Sequence, residues 1–138
     1  MPAIVLDTSW VAAFVFADEA SPAADALYAA VMRDGIVVPA LWPVEVSNML
    51  RQGERRGRIG QGNLSATLAK VLAIPCEVEP MSATQALGPV LDLARRHALT
   101  AYDASCLECA RRLGLPLATR DEALIRAAGP EGVGLRHA

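Results

Sequence analysis

The stretch 100–121, TAYDASCLECARRLGLPLATRD, decides the fold. Asp103 stands near the start of a predicted helix, whose apolar face consists of residues at helical spacing: Ala104, Leu107, Ala110 and Leu113. Gly114 ends this helix, the run 115–119 predicts a short buried strand, and Asp121 follows that strand. Sites in open parallel sheets form where strands end, so we interpret these two aspartates as half of a metal site.

Apolar runs and helical spacing alternate along the rest of the chain. The run 3–6 predicts a buried first strand, and Ser9 is placed to cap the helix that follows it. The runs 36–38 and 77–79 predict a second and a third strand, and 133–135 predicts a last edge strand. Because helical patterns separate these strands, the sequence predicts an α/β fold with a mainly parallel sheet.

The composition is that of one globular domain. The chain has 138 residues, enough for a single domain over 1–138 with its own core. Hydrophobic residues make up 53% and charged residues 20%, which excludes a disordered chain. The net charge of −2 gives no bulk indication of nucleic acid, and the aromatic share of 4% argues against base-stacking platforms of the RNA-recognition kind.

Cysteine content and the first residues bear on location. The 3 cysteines cannot all pair with one another, which fits a reducing compartment. The start MPAIVLD lacks the basic region of a signal peptide, and the apolar runs are far shorter than the ~20 residues that a membrane span needs. We therefore expect a cytoplasmic protein without a membrane segment.

Four acids stand at junctions between predicted strands and helices. Asp7 and Asp121 follow strands, whereas Glu45 and Asp103 begin helices, so a doubly wound sheet would gather them at one edge. Crowded carboxylates raise one another's pKa, and Mg²⁺ or Mn²⁺, which prefer oxygen ligands, would relieve that repulsion. Each acid taken singly suits a helix cap or first turn equally well.

With these acids in place, the sequence resembles the PIN domain family, and most closely the VapC-type toxins of bacterial toxin–antitoxin pairs. The matching motifs are VLDTSW, PVEVSNML, LTAYDASCLECARRLGLPLATRD and the adjoining DEAL. They occur in the family's order and cover essentially the whole chain. The resemblance implies a PIN-like three-layer α/β/α fold, with a central mainly parallel sheet of about four to five strands flanked by helices.

The resemblance also implies an activity and a site. It implies an Mg²⁺- or Mn²⁺-dependent endoribonuclease that acts as a toxin on RNA, with a VapB-like antitoxin partner and a homodimeric assembly. The residues carried over as catalytic and metal-binding acids are Asp7, Glu45, Asp103 and Asp121. Thr8 or Ser9, and Thr119, match hydroxyl positions that support the family's site, and Asn48 shares the helix face of Glu45 by i,i+3 spacing.

Basic side chains are the candidates for contacts with RNA phosphates. Four lie near the end of the helix that carries the second acid, and one lies beside the last acid: Arg51, Arg55, Arg56, Arg58 and Arg120. A solvated helix end explains the first four equally well. The C-x-x-C pair Cys106 and Cys109 lies in a predicted helix without a second ligand pair, which favours core thiols over zinc. His97 and His137 lack a nucleophile partner and are expected at the surface.

Other functions match the sequence less well. A phosphoacceptor signalling module on a flavodoxin-like sheet needs an acid beside Asp7 and a lysine after a late strand, but the one lysine, Lys70, lies in a predicted helix. A haloacid-type phosphatase needs an aspartate two residues after Asp7, where Ser9 stands. The remaining alternative is a catalytically inactive PIN-fold module that binds RNA or protein.

Overall fold

The structure is a computed structural model and describes residues 3–60 and 62–136. Within these ranges, parallel strands form the central sheet. The strands are β1 (Ile4–Leu6), β2 (Ile36–Pro39), β3 (Cys76–Glu79) and β4 (Leu117–Ala118). Their order across the sheet is β3-β2-β1-β4, and each neighbouring pair is parallel. The predicted α/β fold with a parallel sheet is confirmed.

Helices connect these strands and cover the sheet. A π-helical segment, Ala86–Val90, joins two of them and contains Pro89, which cannot donate the usual helical hydrogen bond. Within the described ranges, no helix is long and apolar enough to span a membrane. The helices are α1 (Thr8–Val15), α2 (Pro22–Asp34), α3 (Trp42–Arg55), α4 (Leu64–Leu72), α5 (Ala83–Gln85), α6 (Leu91–His97), α7 (Ala101–Leu113) and α8 (Glu122–Ala128).

The sheet separates two apolar cores, so the fold has three layers. Ile4 and Leu6 of β1 face a core shared with α1, α2 and α3. Val5, between them, faces a second core shared with α6, α7 and α8. Burial on both faces explains why the strands read as continuous apolar runs in the sequence rather than as alternating patterns.

The start of α1 differs from the prediction. The helix begins at Thr8, so Ser9 lies in its first turn and does not cap it. Asp7 occupies the N-cap position instead, because its backbone is still extended and its N–H still donates to the Ala118 carbonyl of β4. The strand and the helix are therefore joined without a loop.

The segment after α7 also differs in extent from the prediction. The expected strand over 115–119 is only Leu117–Ala118, because the Leu115 N–H donates to the Ala110 carbonyl at the end of α7 rather than to the sheet. The expected last strand is reduced to one parallel bridge between Leu117 and Leu135. The sheet thus continues past β4 by a single bridge.

The end of α7 and the two histidines agree only in part with the prediction. Gly114 ends α7 in the left-handed conformation, with φ of 66°, as predicted. Leu113 is exposed, so the predicted apolar face stops one turn earlier. His97 is not a surface residue, because it is half-buried and its Nε2 lies 2.6 Å from Glu131 Oε2. His137 lies outside the described residues.

A buried hydrogen bond positions α3 against the middle strand. Trp42 Nε1 donates to the carbonyl oxygen of Leu6 at 2.7 Å. Leu6 is the last residue of β1, and Asp7 follows it. The start of α3 is therefore held beside the end of β1, at the carboxyl edge of the sheet.

Candidate metal-binding site

The four predicted acids lie at this carboxyl edge, each at a junction of elements. Asp7 follows β1, and Asp121 is the N-cap residue of α8, shortly after β4. Glu45 lies in the first turn of α3, and Asp103 lies in the first turn of α7. Parallel strands and the helices that follow them bring these four positions together, as the sequence analysis expected.

Asp7 is the most buried of the acids, with 3% of its surface exposed. Its Oδ2 accepts hydrogen bonds from the Ser9 hydroxyl at 2.7 Å and from the Thr119 hydroxyl at 2.8 Å. Although it occupies the N-cap position, its carboxylate does not cap α1. Both hydrogen bonds therefore orient the carboxylate and leave Oδ1 without a donor among the described residues.

Glu45 and Asp103 experience the negative charge of the other acids. Burial, and then the charges of Asp7 and Asp103, raise the pKa of Glu45 to about 7. Burial, and then the charges of Asp7 and Asp121, raise the pKa of Asp103 above its ordinary value. Thr8 opposes the shift of Glu45 because its hydroxyl donates to Oε2 at 3.4 Å. The charges of Asp7 and Asp121 thus reach the other two acids, and the ionisation of Glu45 and of Asp103 is disfavoured.

Asp121 has a structural contact that the other three acids lack. Its Oδ1 accepts a 3.0 Å hydrogen bond from the Leu124 N–H and so caps α8. Its own N–H donates to the Thr119 hydroxyl, which in turn donates to Asp7. The capping interpretation therefore holds for Asp121, whereas Asp103 leaves the capping of α7 to Thr100.

The donor set fits one kind of ion better than others. Among the residues that the structure describes, no three or more His, Cys, Asp or Glu side chains are arranged so that they could hold a metal ion. Mg²⁺ is commonly bound by one or two carboxylates, with water completing its shell. Neighbouring carboxylates, two of which have pKa values raised by burial and by nearby negative charge, fit such an ion, but not one that needs a closed protein cage.

A cavity of about 550 Å³ opens beside the cluster, between the starts of α3 and α7. Glu45, Asp103 and Asn48 line it, so Asn48 does share the face of Glu45. The other lining residues were not among the predicted site residues: Leu41, Val44, Thr100 and Tyr102. The T-x-x-D spacing of a capped helix start would have pointed to Thr100, but no sequence signal marks the three apolar residues.

The predicted arginines divide into two groups. Arg58 donates to Asp18 at 2.9 Å and also to Glu19, and its guanidinium lies 3.8 Å from the centre of the Phe16 ring. Arg120 donates to Glu19 and to the Ser9 carbonyl. Both are therefore engaged within the protein through Glu19, a residue that no sequence pattern singles out.

The other arginines of α3 are more open to solvent. Arg51 pairs with Glu54 at 3.3 Å on the exposed side of the helix. Arg55 and Arg56 are exposed at its end, and Arg56 and Arg58 line a cavity of about 230 Å³ that Glu45 and Asn48 also line. Arg56 thus shares a cavity with Glu45, one of the four acids.

An apolar groove of about 320 Å³ lies between α3 and α4, and none of the four candidate acids lines it. From α3 it is lined by residues that include the buried Trp42, Val46 and Leu50. From α4 it is lined by residues that include the exposed Leu68 and Leu72. Helix α4 has no fully buried residue. Exposed apolar surface of this kind is typical of sites that contact another protein.

The thiols of α7 belong to the core. Cys106 and Cys109 are buried and free, as expected for a C-x-x-C pair inside a helix. Burial, and then the charges of Asp7 and Glu45, raise the pKa of Cys106 well above its ordinary value. Cys106 therefore lies close to the acids as a neutral thiol.

Comparison with known proteins identifies a family and solved structures that are similar to this chain. The family model of the PIN domain matches residues 4–130. The crystal structure of PAE2754 from Pyrobaculum aerophilum is similar with a TM-score of 0.67 and 26% sequence identity, over 91% of this chain and 84% of that chain. Among curated proteins, none matches this chain.

Proposed function

Since the chain belongs to the PIN domain family, whose members are generally nucleases that use divalent metals, we propose that it is an Mg²⁺- or Mn²⁺-dependent endoribonuclease. One observation carries the proposal. The buried Asp7 carboxylate is oriented by Ser9 and Thr119, and burial together with the charges of Asp7 and Asp103 raises the pKa of the neighbouring Glu45 to about 7. A divalent cation would offset this negative charge and could at the same time bind a phosphate.

The residues have distinct roles in this proposal. One or two of the carboxylates of Asp7, Glu45 and Asp103 would bind the ion directly and the rest would contact its water ligands, while Asp121 adds negative charge and caps α8. An ion held there would lower the pKa of a water molecule and offset negative charge on the phosphate. Ser9 and Thr119 position Asp7, and Thr8 and Asn48 support the side of the site that Glu45 forms.

The finer parts of the proposal rest on the resemblance of the sequence to VapC-type toxins. They are the preference for RNA, the role as the toxin of a VapBC-type pair, the VapB-like antitoxin, the homodimer and the cytoplasmic location. The apolar groove between α3 and α4 is a surface that suits a protein partner. The same groove also favours the second candidate, a catalytically inactive PIN-fold module that binds RNA or protein.

A cleavage assay separates these candidates. Single-stranded RNA and DNA of the same sequence are incubated with the purified chain in EDTA, Mg²⁺ or Mn²⁺. We expect RNA to be cut only with metal, and Asp7→Asn to lose more than the roughly 10- to 100-fold that removal of an outer-shell partner costs. Asp25→Asn, on the exposed side of α2, is the matched control and keeps the activity of the wild type.

Each other outcome rejects a defined part of the proposal. Cleavage by Asp7→Asn at the rate of the wild type would mean that the site is assigned wrongly. Equal cleavage of DNA would remove the preference for RNA. No cleavage with any metal by the folded protein would favour the inactive module. For the toxin role, expression of the wild type but not of Asp7→Asn should arrest growth, and unimpaired growth would contradict it.

A further inference from the structure

Three exposed apolar side chains border the acids in the cavity between α3 and α7. Leu41 is 45% exposed, Val44 is 65% exposed and Tyr102 is 52% exposed, and all three line this cavity. Val44 directly precedes Glu45, and Tyr102 directly precedes Asp103. At the start of each helix, an exposed apolar residue is thus adjacent to an acid of the candidate metal site.

We infer that this cavity binds an unpaired nucleobase of the RNA and that Tyr102 stacks on this base. The base would be adjacent to the phosphate that binds at the acids. The inference rests on the proposed function, because it places the base and the phosphate on one RNA strand. It adds a residue that selects the substrate to those that hold the ion. The chemical class of the ligand is a single-stranded RNA segment, since a paired base cannot leave its stack to enter the cavity without unpairing.

The shape and chemistry of the cavity suit a base. Its volume of about 550 Å³ is in the usual range for small-ligand sites. The Tyr102 ring and the aliphatic side chains of Leu41 and Val44 offer apolar contact to a planar group. Asn48 is exposed in the same cavity, and its amide carries both donors and an acceptor for the edge of a base.

The position of the cavity favours a base over an apolar peptide. Both of its acids, Glu45 and Asp103, belong to the cluster at which a phosphate would bind with its cation. A nucleotide supplies a phosphate and an apolar ring at adjacent points of one molecule, which matches the adjacent acid and apolar residues here. The apolar groove between α3 and α4, by contrast, has no acid of the cluster in its lining.

A thermodynamic cycle between Tyr102 and single bases tests this inference. A short single-stranded RNA is prepared intact and with one abasic site moved along it. Fluorescence anisotropy measures its binding to three proteins that all contain Asp7→Asn. The first keeps Tyr102, and the other two also contain Tyr102→Ala or Tyr102→Phe. Leu87→Ala is the matched control, since Leu87 is exposed in the π-helical segment, outside the lining of this cavity.

The expected result is a coupling at one position of the RNA. Tyr102→Ala should weaken the binding of intact RNA by roughly 5- to 150-fold, the range for loss of one stacked base, and Tyr102→Phe should stay within about twofold. One abasic site should weaken binding by a similar factor when Tyr102 is present and have little further effect in Tyr102→Ala. Leu87→Ala should bind as the parent protein does.

Two results would overturn the inference. In the first, Tyr102→Ala binds intact RNA as tightly as the parent. In the second, every abasic site weakens binding to Tyr102→Ala as much as binding to the parent, so that Tyr102 contacts no base. If Tyr102→Ala weakens the binding of a protein partner but leaves the binding of RNA unchanged, the inference is also overturned. The cavity would then be assigned to that partner.

Failure of the proposed function is distinguishable from failure of this inference. Binding is read in a cleavage-deficient background, so a base site is detected even if the wild type does not cut RNA. In that case the coupling stands and the nuclease proposal falls. If the wild type cuts RNA but the effects of Tyr102→Ala and of the abasic sites on binding are independent, the nuclease proposal is supported and the base site is rejected. With active protein, we expect Tyr102→Ala to raise KM more than it lowers kcat.

Discussion

At the scale of single residues, Asp7 is a buried carboxylate whose environment orients it. Removing a carboxylate from water is costly unless hydrogen bonds replace those of the solvent. The hydroxyls of Ser9 and Thr119 supply two such bonds, and both end on Oδ2. Charge-assisted bonds of this type are stronger than neutral ones, so they fix the carboxylate in one orientation.

Thr119→Val tests whether this orientation matters. Valine keeps the size of the buried side chain but removes the donor to Asp7 and the acceptor for the Asp121 N–H. We expect cleavage to slow by roughly 10- to 100-fold, as for the loss of an outer-shell partner, and Thr119→Ser to restore most of it. The measurement is the cleavage rate at saturating Mg²⁺, and a valine variant as fast as the wild type would contradict the positioning role.

Glu45 gives the metal-free protein a specific pH dependence. Its pKa is about 7 in the folded chain and near 4.5 when unfolded. Between these values the folded protein holds a proton that the unfolded chain has lost, so the free energy of unfolding falls as the pH rises through this window. Because Glu45 is only half-buried and partly screened by solvent, we expect a fall of about 1–3 kcal/mol.

Urea unfolding in EDTA at several pH values measures this effect. Glu45→Gln should be more stable than the wild type above pH 7, because it removes a repelling charge, and should lose most of the pH-dependent fall. Glu77→Gln, on the exposed edge strand β3, is the matched control and should keep the fall. An unchanged pH profile in Glu45→Gln would contradict the crowded cluster.

At the scale of secondary-structure elements, one indole N–H links α3 to the central strand. Trp42 Nε1 donates to the Leu6 carbonyl, and the next residue along the chain from Leu6 is Asp7. Trp10 provides a contrast, because its Nε1 is buried without a partner among the described residues. The tryptophan of α3 thus satisfies a backbone carbonyl of β1, whereas the tryptophan of α1 leaves its own donor unsatisfied.

A pair of substitutions tests this link. Trp42→Phe leaves the Leu6 carbonyl buried without its donor, which should lower the free energy of unfolding by about 1–3 kcal/mol beyond the effect of the smaller ring. Trp10→Phe removes the same part of a side chain but also removes an unsatisfied donor, so it should cost less. Urea unfolding of both variants measures the difference, and an equal or smaller cost for Trp42→Phe would contradict the link.

Element boundaries with local causes could be predicted from the sequence. Gly114 ends α7 because only glycine adopts the left-handed conformation easily, and Pro22 follows a Ser21 cap at the start of α2. Boundaries with tertiary causes could not. The short extent of β4 depends on the bond from Leu115 to Ala110, and the start of α1 depends on the bond from Asp7 to β4.

At the scale of the whole molecule, charge is distributed unevenly at the carboxyl edge. The net charge is −2, yet the end of α3 is basic and lies near the acidic cluster. Glu19 engages both Arg58 and Arg120, whereas Arg55 and Arg56 remain exposed. Nucleic-acid binding by such a protein would depend on this local patch rather than on bulk charge.

The salt dependence of RNA binding tests the patch. If each arginine neutralises one phosphate of a single strand, Arg55→Gln and Arg56→Gln should each reduce the slope of log affinity against log salt by about 0.7. Arg33→Gln is the matched control, because Arg33 pairs with Asp34 at the opposite edge of the sheet, before β2. A patch that does not bind RNA would leave all three slopes equal to that of the wild type.

The candidate site was predictable where chemistry and local pattern coincide. Asp7 and Asp103 stand beside strong strand and helix signals, and a parallel sheet brings such junctions to one edge. The engagement of Glu19 was not predictable, because it lies 39 residues from Arg58 and 101 residues from Arg120 in sequence. The exposure of Tyr102 was not predictable either, since a helical pattern does not show which residues a neighbouring element will cover.

The central claim is that the acids at the carboxyl edge of the sheet bind a divalent cation. Titration of Mn²⁺ into metal-free wild type and Asp7→Asn, followed by calorimetry, tests it without any assumption about the substrate. Circular dichroism of both proteins establishes that the variant is folded. We expect the wild type to bind Mn²⁺ and Asp7→Asn to bind at least roughly 10-fold more weakly. Equal affinities, or no binding by the wild type, would contradict the claim.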